Sequence, residues 1–229
     1  MHPDSPVPDA VAVTPLATPR SRYEIQAVRA GQPVGIDGIL SDEAWREAPM
    51  IDNFTQQEPN NGQPATERTE VRLLYDSGYL YIGVHAFDSD PDHIVATEMR
   101  RDSARLMDED HFEVILDTFR DSRSGYMFVT NPLGAKLEQQ IFEEGGGNTR
   151  GSASNINKDW NGVWEAAARR TSDGWTAEIA IPVVTVRSPD VPVQTWGINF
   201  MTSSNARPNT TDNARICTTP RPNILKTAA

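Results

Sequence analysis

The stretch TEVRLLYDSGYLYIGVHAF, residues 69–87, decides the fold class. Apolar and polar side chains alternate on both sides of Asp76-Ser77-Gly78, which is the pattern of two half-buried β-strands. The three residues between them form a turn sequence, with glycine where a positive φ is needed. We therefore predict a tight β-hairpin here.

Runs with the same period of two recur on both sides of this hairpin. With it they give the candidate strands YEIQAV, TEVRLLY, YLYIGVHAF, FEVILDTF, GYMFVTN, KLEQQIF, VWEAAA, WTAEIAI and TWGINF. The 17 Pro and 15 Gly favour many short elements joined by turns and argue against a helical bundle. The pattern predicts an all-β domain.

The helical signals in the sequence are short. Ser41 is a good N-cap ahead of Asp42 and Glu43, which predicts about two turns ending at Ala48, with Trp45 buried at one end of the domain. A second short helix fits the residues after Pro91, and the stretch 102–107 fits either a helix or a loop. We expect these short helices to lie within loops.

Composition excludes several classes of partner and site. The 21 Lys and Arg against 32 Asp and Glu give a net charge of -11, which repels phosphate backbones, so we expect no nucleic-acid partner. The single cysteine, Cys217, excludes an internal disulfide framework and CxxC motifs. No apolar run is long enough for a membrane helix, and the N-terminus has no recognisable signal peptide, so we expect no membrane insertion by this chain.

Changes in composition divide the chain into three parts. Residues 1–21 are rich in proline and lack a hydrophobic period, which predicts a disordered leader. Residues 22–201 carry the strand patterns and form one domain. Residues 202–229 are rich in Thr, Asn, Pro and Arg, and their prolines interrupt any strand, so we predict an irregular tail.

Three segments together resemble a known family. They are IDGILSDEAWREAP at 36–49, LLYDSGYLYIGVHAFDSDP at 73–91 and DEDHFEVILDTFRD at 108–121, and they are similar to the family 9 carbohydrate-binding module, a β-sandwich. Residues 57–200 resemble, more narrowly, the amino-terminal module of bacterial envelope proteins that continue into a predicted outer-membrane barrel. The resemblance implies an antiparallel, jelly-roll-like β-sandwich. The unlike tail then suggests a truncated or frame-shifted product that lacks its barrel.

The resemblance also implies a function and a location. It implies a non-catalytic module that binds a saccharide end or a polysaccharide, with glycoside hydrolysis and carbohydrate catabolism only by association with a parent protein. The location implied for the full-length parent is the periplasm or cell envelope. The alternative is a structural or partner-binding periplasmic domain of an outer-membrane protein that has lost sugar binding.

The candidate saccharide-binding residues lie in or beside two long loops. Trp160 and Asn161 close the second loop, and an aromatic face beside polar groups is typical of sugar sites. Arg100 and Arg101 lie in the first loop, where a guanidinium group can bind sugar hydroxyls or pair with Asp108 or Asp110. We expect Trp164, Trp175 and Trp196 to belong to the core.

Carboxylates suggest a calcium site and do not suggest catalysis. Alternating acids at Asp88 and Asp90, and again at Asp108 and Asp110, could offer oxygen ligands to calcium, although the residues themselves favour a solvated turn at 88–92 over an ion site. The family 9 resemblance implies structural calcium, which raises the calcium interpretation. In FEVILDTF, Glu113 and Asp117 would lie about 13 Å apart on one face of a strand. This is wide for a glycosidase pair, at roughly 6.5–9.5 Å, so we expect surface charge there and no catalytic residue.

Overall fold

A computed structural model describes residues 25–57, 60–142, 156–191 and 193–204, together with the backbone of two later strands. The expected leader, residues 1–21, lies outside the described residues. No described helix is long and apolar enough to cross a membrane.

The described chain forms two β-sheets. Their strands are β1 (Val28–Arg29), β2 (Met50–Ile51), β3 (Thr55–Gln56), β4 (Thr69–Tyr75), β5 (Tyr79–Phe87), β6 (His111–Asp117), β7 (Gly125–Thr130), β8 (Lys136–Ile141), β9 (Ile156–Asn157), β10 (Glu165–Thr171), β11 (Gly174–Pro182), β12 (Val193–Ser203), β13 (Ile216–Cys217) and β14 (Asn223–Thr227). The six-stranded sheet has the order β1-β4-β5-β11-β10, with β2 also on β4. The eight-stranded sheet has the order β3-β13-β12-β6-β7-β8-β9, with β14 also on β12.

The two sheets pack face to face around one main core, which confirms the predicted β-sandwich. Val71, Leu73 and Ile82 enter this core from the six-stranded sheet, and Phe112 and Phe200 enter it from the other. The described strand pairs are antiparallel except β1 with β4, which are parallel. The expected core tryptophans are confirmed as buried: Trp164, Trp175 and Trp196.

The predicted hairpin is present, but the reason given for its turn is wrong. Strands β4 and β5 pair antiparallel from Thr69 with Ala86 to Tyr75 with Leu80. Gly78 does not have a positive φ. The turn is held instead by Asp76, whose Oδ1 accepts hydrogen bonds from the backbone N–H groups of Gly78 and Tyr79, each at 2.7 Å.

Glycine is required at the second hairpin of the same sheet. Gly174 opens β11 with φ at +143°, a conformation that residues with a Cβ rarely adopt. A Cβ placed there would lie 2.1 Å from the carbonyl oxygen of Ala86 on the neighbouring strand. The close approach of β11 to β5 therefore depends on the missing side chain.

The short helices lie between strands, as expected. Helix α1 spans Glu43–Glu47, and its N-cap is Asp42, one residue later than the predicted Ser41. Single 3₁₀ turns occur at Pro91–His93, Ala104–Asp108 and Val183–Thr185. The expected strand YEIQAV contributes only Val28 to a described strand, because β1 begins there.

Trp45 does not close the end of the sandwich but lies on the outer face of the six-stranded sheet. It packs there with Leu74, Tyr81 and Ala180. Its indole N–H donates to Oε1 of Glu178 at 2.8 Å, and the backbone N–H groups of Asp37 and Gly38 donate to Oε2 at 2.9 Å. Burial raises the pKa of Glu178. This carboxylate therefore fastens residues 37–45 to the sheet.

The chain after Met201 differs from the predicted irregular tail at three places. Strand β12 continues to Ser203, and β13 and β14 both pair with it. Proline interrupts neither strand, because Pro208, Pro220 and Pro222 all lie outside Ile216–Cys217 and Asn223–Thr227. The rest of the tail beyond residue 204 lies outside the described residues.

Candidate functional site

The structure brings Arg101 and Asn161 together across two loops. The Arg101 guanidinium donates to Oδ1 of Asn161 at 2.8 Å, to the carbonyl oxygen of Gly162 at 2.7 Å, and to Oε1 of Glu138. Glu138, on β8, is only 1% exposed, and its Oε2 accepts a hydrogen bond from the indole N–H of Trp164 at 2.9 Å. We call Arg101, Glu138, Asn161 and Trp164 the Arg101 cluster. Arg101 thus pairs with a carboxylate, but the partner is Glu138 and not Asp108 or Asp110, which the sequence suggested.

Arg100 points to a different partner. Its guanidinium donates to both carboxylate oxygens of Glu98, at 2.8 and 3.1 Å. Hydrogen bonds from Arg100 and then Ser103 hold the pKa of Glu98 well below its usual range. The two neighbouring arginines therefore stabilise two different carboxylates.

Trp160 is half-buried and packs against the main core. Its ring centroid lies 5.0 Å from that of Tyr126 and 5.8 Å from that of Phe128. Gly162 makes room for it, since a Cβ at that position would lie 2.7 Å from the Trp160 ring. Part of the Trp160 surface is therefore already used in packing.

The surface charge expected at Glu113 is wrong, because Glu113 is buried, as are Glu109 and Asp110 before it, whereas Asp108 is exposed and Asp117 is half-buried. Oδ2 of Asp110 accepts from the backbone N–H of Val95 at 2.5 Å. Burial alone would raise the pKa of Glu109, but hydrogen bonds from Thr97, Glu98 and Asn131 outweigh it, so the net shift is downward. Glu109 and Asp110 therefore fasten the loop that precedes β6.

Two of the four candidate calcium ligands line one small cavity. Asp88 and Asp110 line a space of about 20 Å³, together with Glu67, Thr202 and Ser203. Asp90 and Asp108 do not line it, and Asp90 instead contacts Nδ1 of His93 at 2.8 Å. Within the described residues, no group of three Asp, Glu, His or Cys side chains is placed to bind a metal ion. The expected set of four aspartates is therefore not gathered at one point.

A larger cleft lies on the outer face of the eight-stranded sheet. The main core is on the other side of β6, where Val114 and Leu116 point, whereas Ile115 and Asp117 face the cleft. The cleft has a volume of about 270 Å³ and is lined by Ile115, Asp117, Ser122, Arg123, Ser124, Gly125, Ile141, Gly197 and Asn199. Sequence reasoning missed it. The available signal was glycine inside two strands, which often marks a close approach.

The loop that borders this cleft contains strained backbone. Arg120 and Ser122 have φ values of 56° and 62°, which cost of order 1–3 kcal/mol each and are frequent at ligand sites. Asp121 holds the loop, because its Oδ1 accepts from the backbone N–H groups of Arg123 and Ser124, both at 2.8 Å. These hydrogen bonds, first from Ser124 and then from Arg123, lower the pKa of Asp121. The loop is therefore fixed before any ligand arrives.

Comparison with known proteins identifies the family. The family model described as "Carbohydrate family 9 binding domain-like" matches residues 36–223. The chain belongs to this family. The family 9 resemblance found in the sequence is thereby confirmed, and a comparison with curated proteins finds no match.

Solved structures share the fold of this family 9 domain. A family 9 carbohydrate-binding module from Caldicellulosiruptor kristjanssonii in complex with glucose aligns with a TM-score of 0.60 and 15% identity, over 90% of this chain and 97% of that one. The same organism's module in complex with cellotriose gives 0.57 and 16%, over 90% and 94%. A putative carbohydrate-binding protein from Bacteroides uniformis gives 0.62 and 9%, over 89% and 98%. At these identities the likeness shows the fold alone.

Proposed function

We propose that this family 9 domain is a non-catalytic carbohydrate-binding module that holds a saccharide in the cleft on the eight-stranded sheet. The observation that carries the proposal is the cleft itself, about 270 Å³, with polar side chains beside apolar ones. The class of ligand is supported by family membership and by the neighbours bound to glucose and cellotriose.

The lining of the cleft suits a sugar. Both oxygens of the Asp117 carboxylate accept hydrogen bonds from backbone N–H groups of the bordering loop, and the Ser124 hydroxyl donates to Oδ2 of Asp121, but the remaining lone pairs of these groups can still accept from sugar hydroxyls. The amide of Asn199 carries both donor and acceptor atoms. Ile115 and Ile141 provide apolar surface for the C–H groups of the ring.

Binding without catalysis fits the placement of the carboxylates. Glu113 and Asp117 lie on the same face of β6, and Glu113 is buried. Four residues along a strand separate them by about 13 Å, which is beyond the roughly 6.5–9.5 Å of inverting glycosidases. We therefore assign any link with carbohydrate catabolism to a parent protein.

The saccharide site can be tested with a matched pair of amide variants. We expect Asn199→Ala to weaken binding of glucose or cellotriose about tenfold, because a lost hydrogen bond contributes about 1–1.5 kcal/mol. Asn161→Ala, which removes an amide from the Arg101 cluster, should leave affinity unchanged. Isothermal titration calorimetry on the full chain measures both variants.

If Asn161→Ala weakens binding and Asn199→Ala does not, the saccharide site lies at the Arg101 cluster. In that case Trp160, Arg100, Arg101 and Asn161 would be the residues to pursue, and Trp160→Ala should weaken binding by removing stacking area. Because Trp160 packs against Tyr126 and Phe128, its variant must first be shown to be folded by circular dichroism.

A second candidate function is a partner-binding domain of the cell envelope. It is favoured by exposed aliphatic side chains outside the cleft: Val163 is 74% exposed and Val184 is 95% exposed. Their segments are joined, since the Thr185 hydroxyl donates to the carbonyl oxygen of Val163 at 2.6 Å. A periplasmic location and an outer-membrane barrel in the parent protein belong to this candidate and rest on the sequence resemblance. If the domain binds no saccharide on a glycan array, that result would favour this second candidate.

We further propose that calcium binds at the small cavity lined by Asp88 and Asp110. In the part of the chain that the structure describes, three carboxylates do not converge there, so the support is the pair Asp88 and Asp110 with the hydroxyl-bearing residues Thr202 and Ser203 around the same cavity, together with a net charge of -11 that a bound cation would partly relieve. Millimolar calcium should raise the melting temperature relative to EDTA, with a stabilisation of about 2.7 kcal/mol at a hundred times the dissociation constant.

A matched pair of variants distinguishes a site from general screening. Asp88→Asn should abolish the calcium-dependent shift, whereas Asp92→Asn, at an exposed position outside the cavity, should keep it. Equal melting temperatures in calcium and EDTA, at matched ionic strength, would contradict calcium binding.

A further inference from the structure

One large aromatic side chain is exposed on the loop that borders the cleft. Phe119 follows β6 and is 49% exposed. The preceding residue, Thr118, is buried, and its hydroxyl donates to the carbonyl oxygen of Arg187 at 2.5 Å. Thr118 thus faces the interior while Phe119 lies at the surface.

Chain geometry places Phe119 at the border of the cleft. Asp117 lines the cleft, and two residues of extended chain span at most about 7 Å, so the two Cα atoms are no further apart than this. On the other side of Phe119, the same loop returns to the cleft at Ser122, Arg123 and Ser124. The Phe119 backbone therefore lies between two segments that line the cleft.

We infer that Phe119 is the aromatic platform of the saccharide site, stacking against the apolar face of a pyranose ring whose hydroxyls enter the cleft. This inference rests on the proposed function and adds a specificity: sugars that present a flat C–H face bind best. An exposed phenyl ring is unfavourable in water and gains most when such a face covers it.

Other aromatic side chains are less suitable. Tyr79 is 37% exposed, but it belongs to the six-stranded sheet and stacks on Tyr81 with centroids 5.7 Å apart. Trp160 packs against Tyr126 and Phe128 in the main core. Among the described Phe, Tyr and Trp side chains, Phe119 thus combines exposure with a place in the loop that borders the cleft, outside the residues that line it.

The loop holds Phe119 in position without ligand. Arg120, directly after it, has a φ of 56°, and Asp121 accepts two backbone hydrogen bonds further along the loop. A loop that is already ordered loses less conformational entropy when it binds a ligand. The positive φ values of Arg120 and Ser122 fit this interpretation, since strained backbone clusters at ligand sites.

The test compares Phe119→Leu, Phe119→Tyr and Tyr79→Leu in the full chain, titrated with glucose and with cellotriose. Leucine keeps an apolar side chain but removes the aromatic face, so we expect affinity to fall about five- to tenfold. Phe119→Tyr should stay within about twofold of the wild type. Tyr79→Leu, a matched loss of an exposed ring, should bind like the wild type. Melting temperatures of all three variants confirm that they are folded.

The outcomes separate the platform from the proposed function. If Phe119→Leu binds as the wild type does while Asn199→Ala is weakened, the cleft is a sugar site and the platform is overturned. If the wild type binds neither probe, the proposed function fails and the platform fails with it. If Phe119→Leu changes the oligomeric state in size-exclusion chromatography and leaves affinity unchanged, the ring covers a contact between copies and the platform is overturned.

Discussion

Alanine in place of Gly174 is expected to destabilise the domain by about 2–6 kcal/mol, the sum of about 1–3 for the backbone conformation and about 1–3 for overpacking. The new Cβ would lie 2.1 Å from the Ala86 carbonyl oxygen and 2.8 Å from the Cα of Phe87. Both atoms belong to the backbone at the end of β5, so neither can rotate away. Urea denaturation followed by circular dichroism measures the loss.

Gly78 provides the matched control, since it occupies the turn of the other hairpin in the same sheet. It has no positive φ, and a Cβ there would meet only Oδ1 of Asp76, at an ordinary 3.7 Å. Gly78→Ala should therefore change the unfolding free energy by less than about 0.5 kcal/mol. Equal losses of unfolding free energy in the two variants would contradict the prediction. They would show that β5 and β11 can move apart at Gly174 without a free-energy cost.

Replacing Arg101 by methionine is expected to lower the free energy of unfolding by about 3 kcal/mol. The change leaves the buried Glu138 carboxylate without its cationic partner, and breaking such a pair costs about 3–5 kcal/mol. We take the lower end because the Arg101 side chain is 40% exposed, so water can reach part of the site. Denaturant unfolding at neutral pH measures the effect.

The double variant Arg101→Met with Glu138→Gln tests the cause. A neutral amide can still accept the indole hydrogen bond from Trp164, so the double variant should recover most of the stability lost in Arg101→Met. Additive losses from the two single variants would mean that the two side chains act independently. Saccharide affinity in the stable double variant would also show directly whether Arg101 binds ligand.

The fold could be predicted from the sequence because its main signals are local. In FEVILDTF, alternation alone places Phe112, Val114 and Leu116 in the core, as the structure confirms. The turn at Asp76-Ser77-Gly78 could also be predicted, because its signal is local. The structure shows that hydrogen bonds to Asp76 hold this turn, and that a positive φ at Gly78 does not. Local patterns indicate that a strand or turn exists and say less about which atoms hold it.

The candidate sites were harder to predict because their contacts join distant segments. No local pattern shows that Arg101 meets Glu138 across two loops, or that Asp88 lies near Asp110 while Asp90 does not. Glu113 was expected to be surface charge because a strand pattern cannot show whether the second face of a strand is also buried. The cleft forms because Gly125 on β7 and Gly197 on β12 flank Ile115 and Asp117 on β6. Only the order of the strands in the sheet determines this arrangement.

The order of strands in the six-stranded sheet bears on how the chain folds during synthesis. Strand β5 ends at Phe87, yet its neighbour β11 begins only at Gly174. At about 5–20 residues per second, the ribosome needs roughly 4–17 s to make the chain between them. During that interval the early hairpin has one unpaired, apolar edge, which is the kind of surface that recruits chaperones or aggregates. Folding of this domain is therefore limited by its late strands, and a ribosome-bound chain ending before Gly174 should depend on a chaperone for solubility.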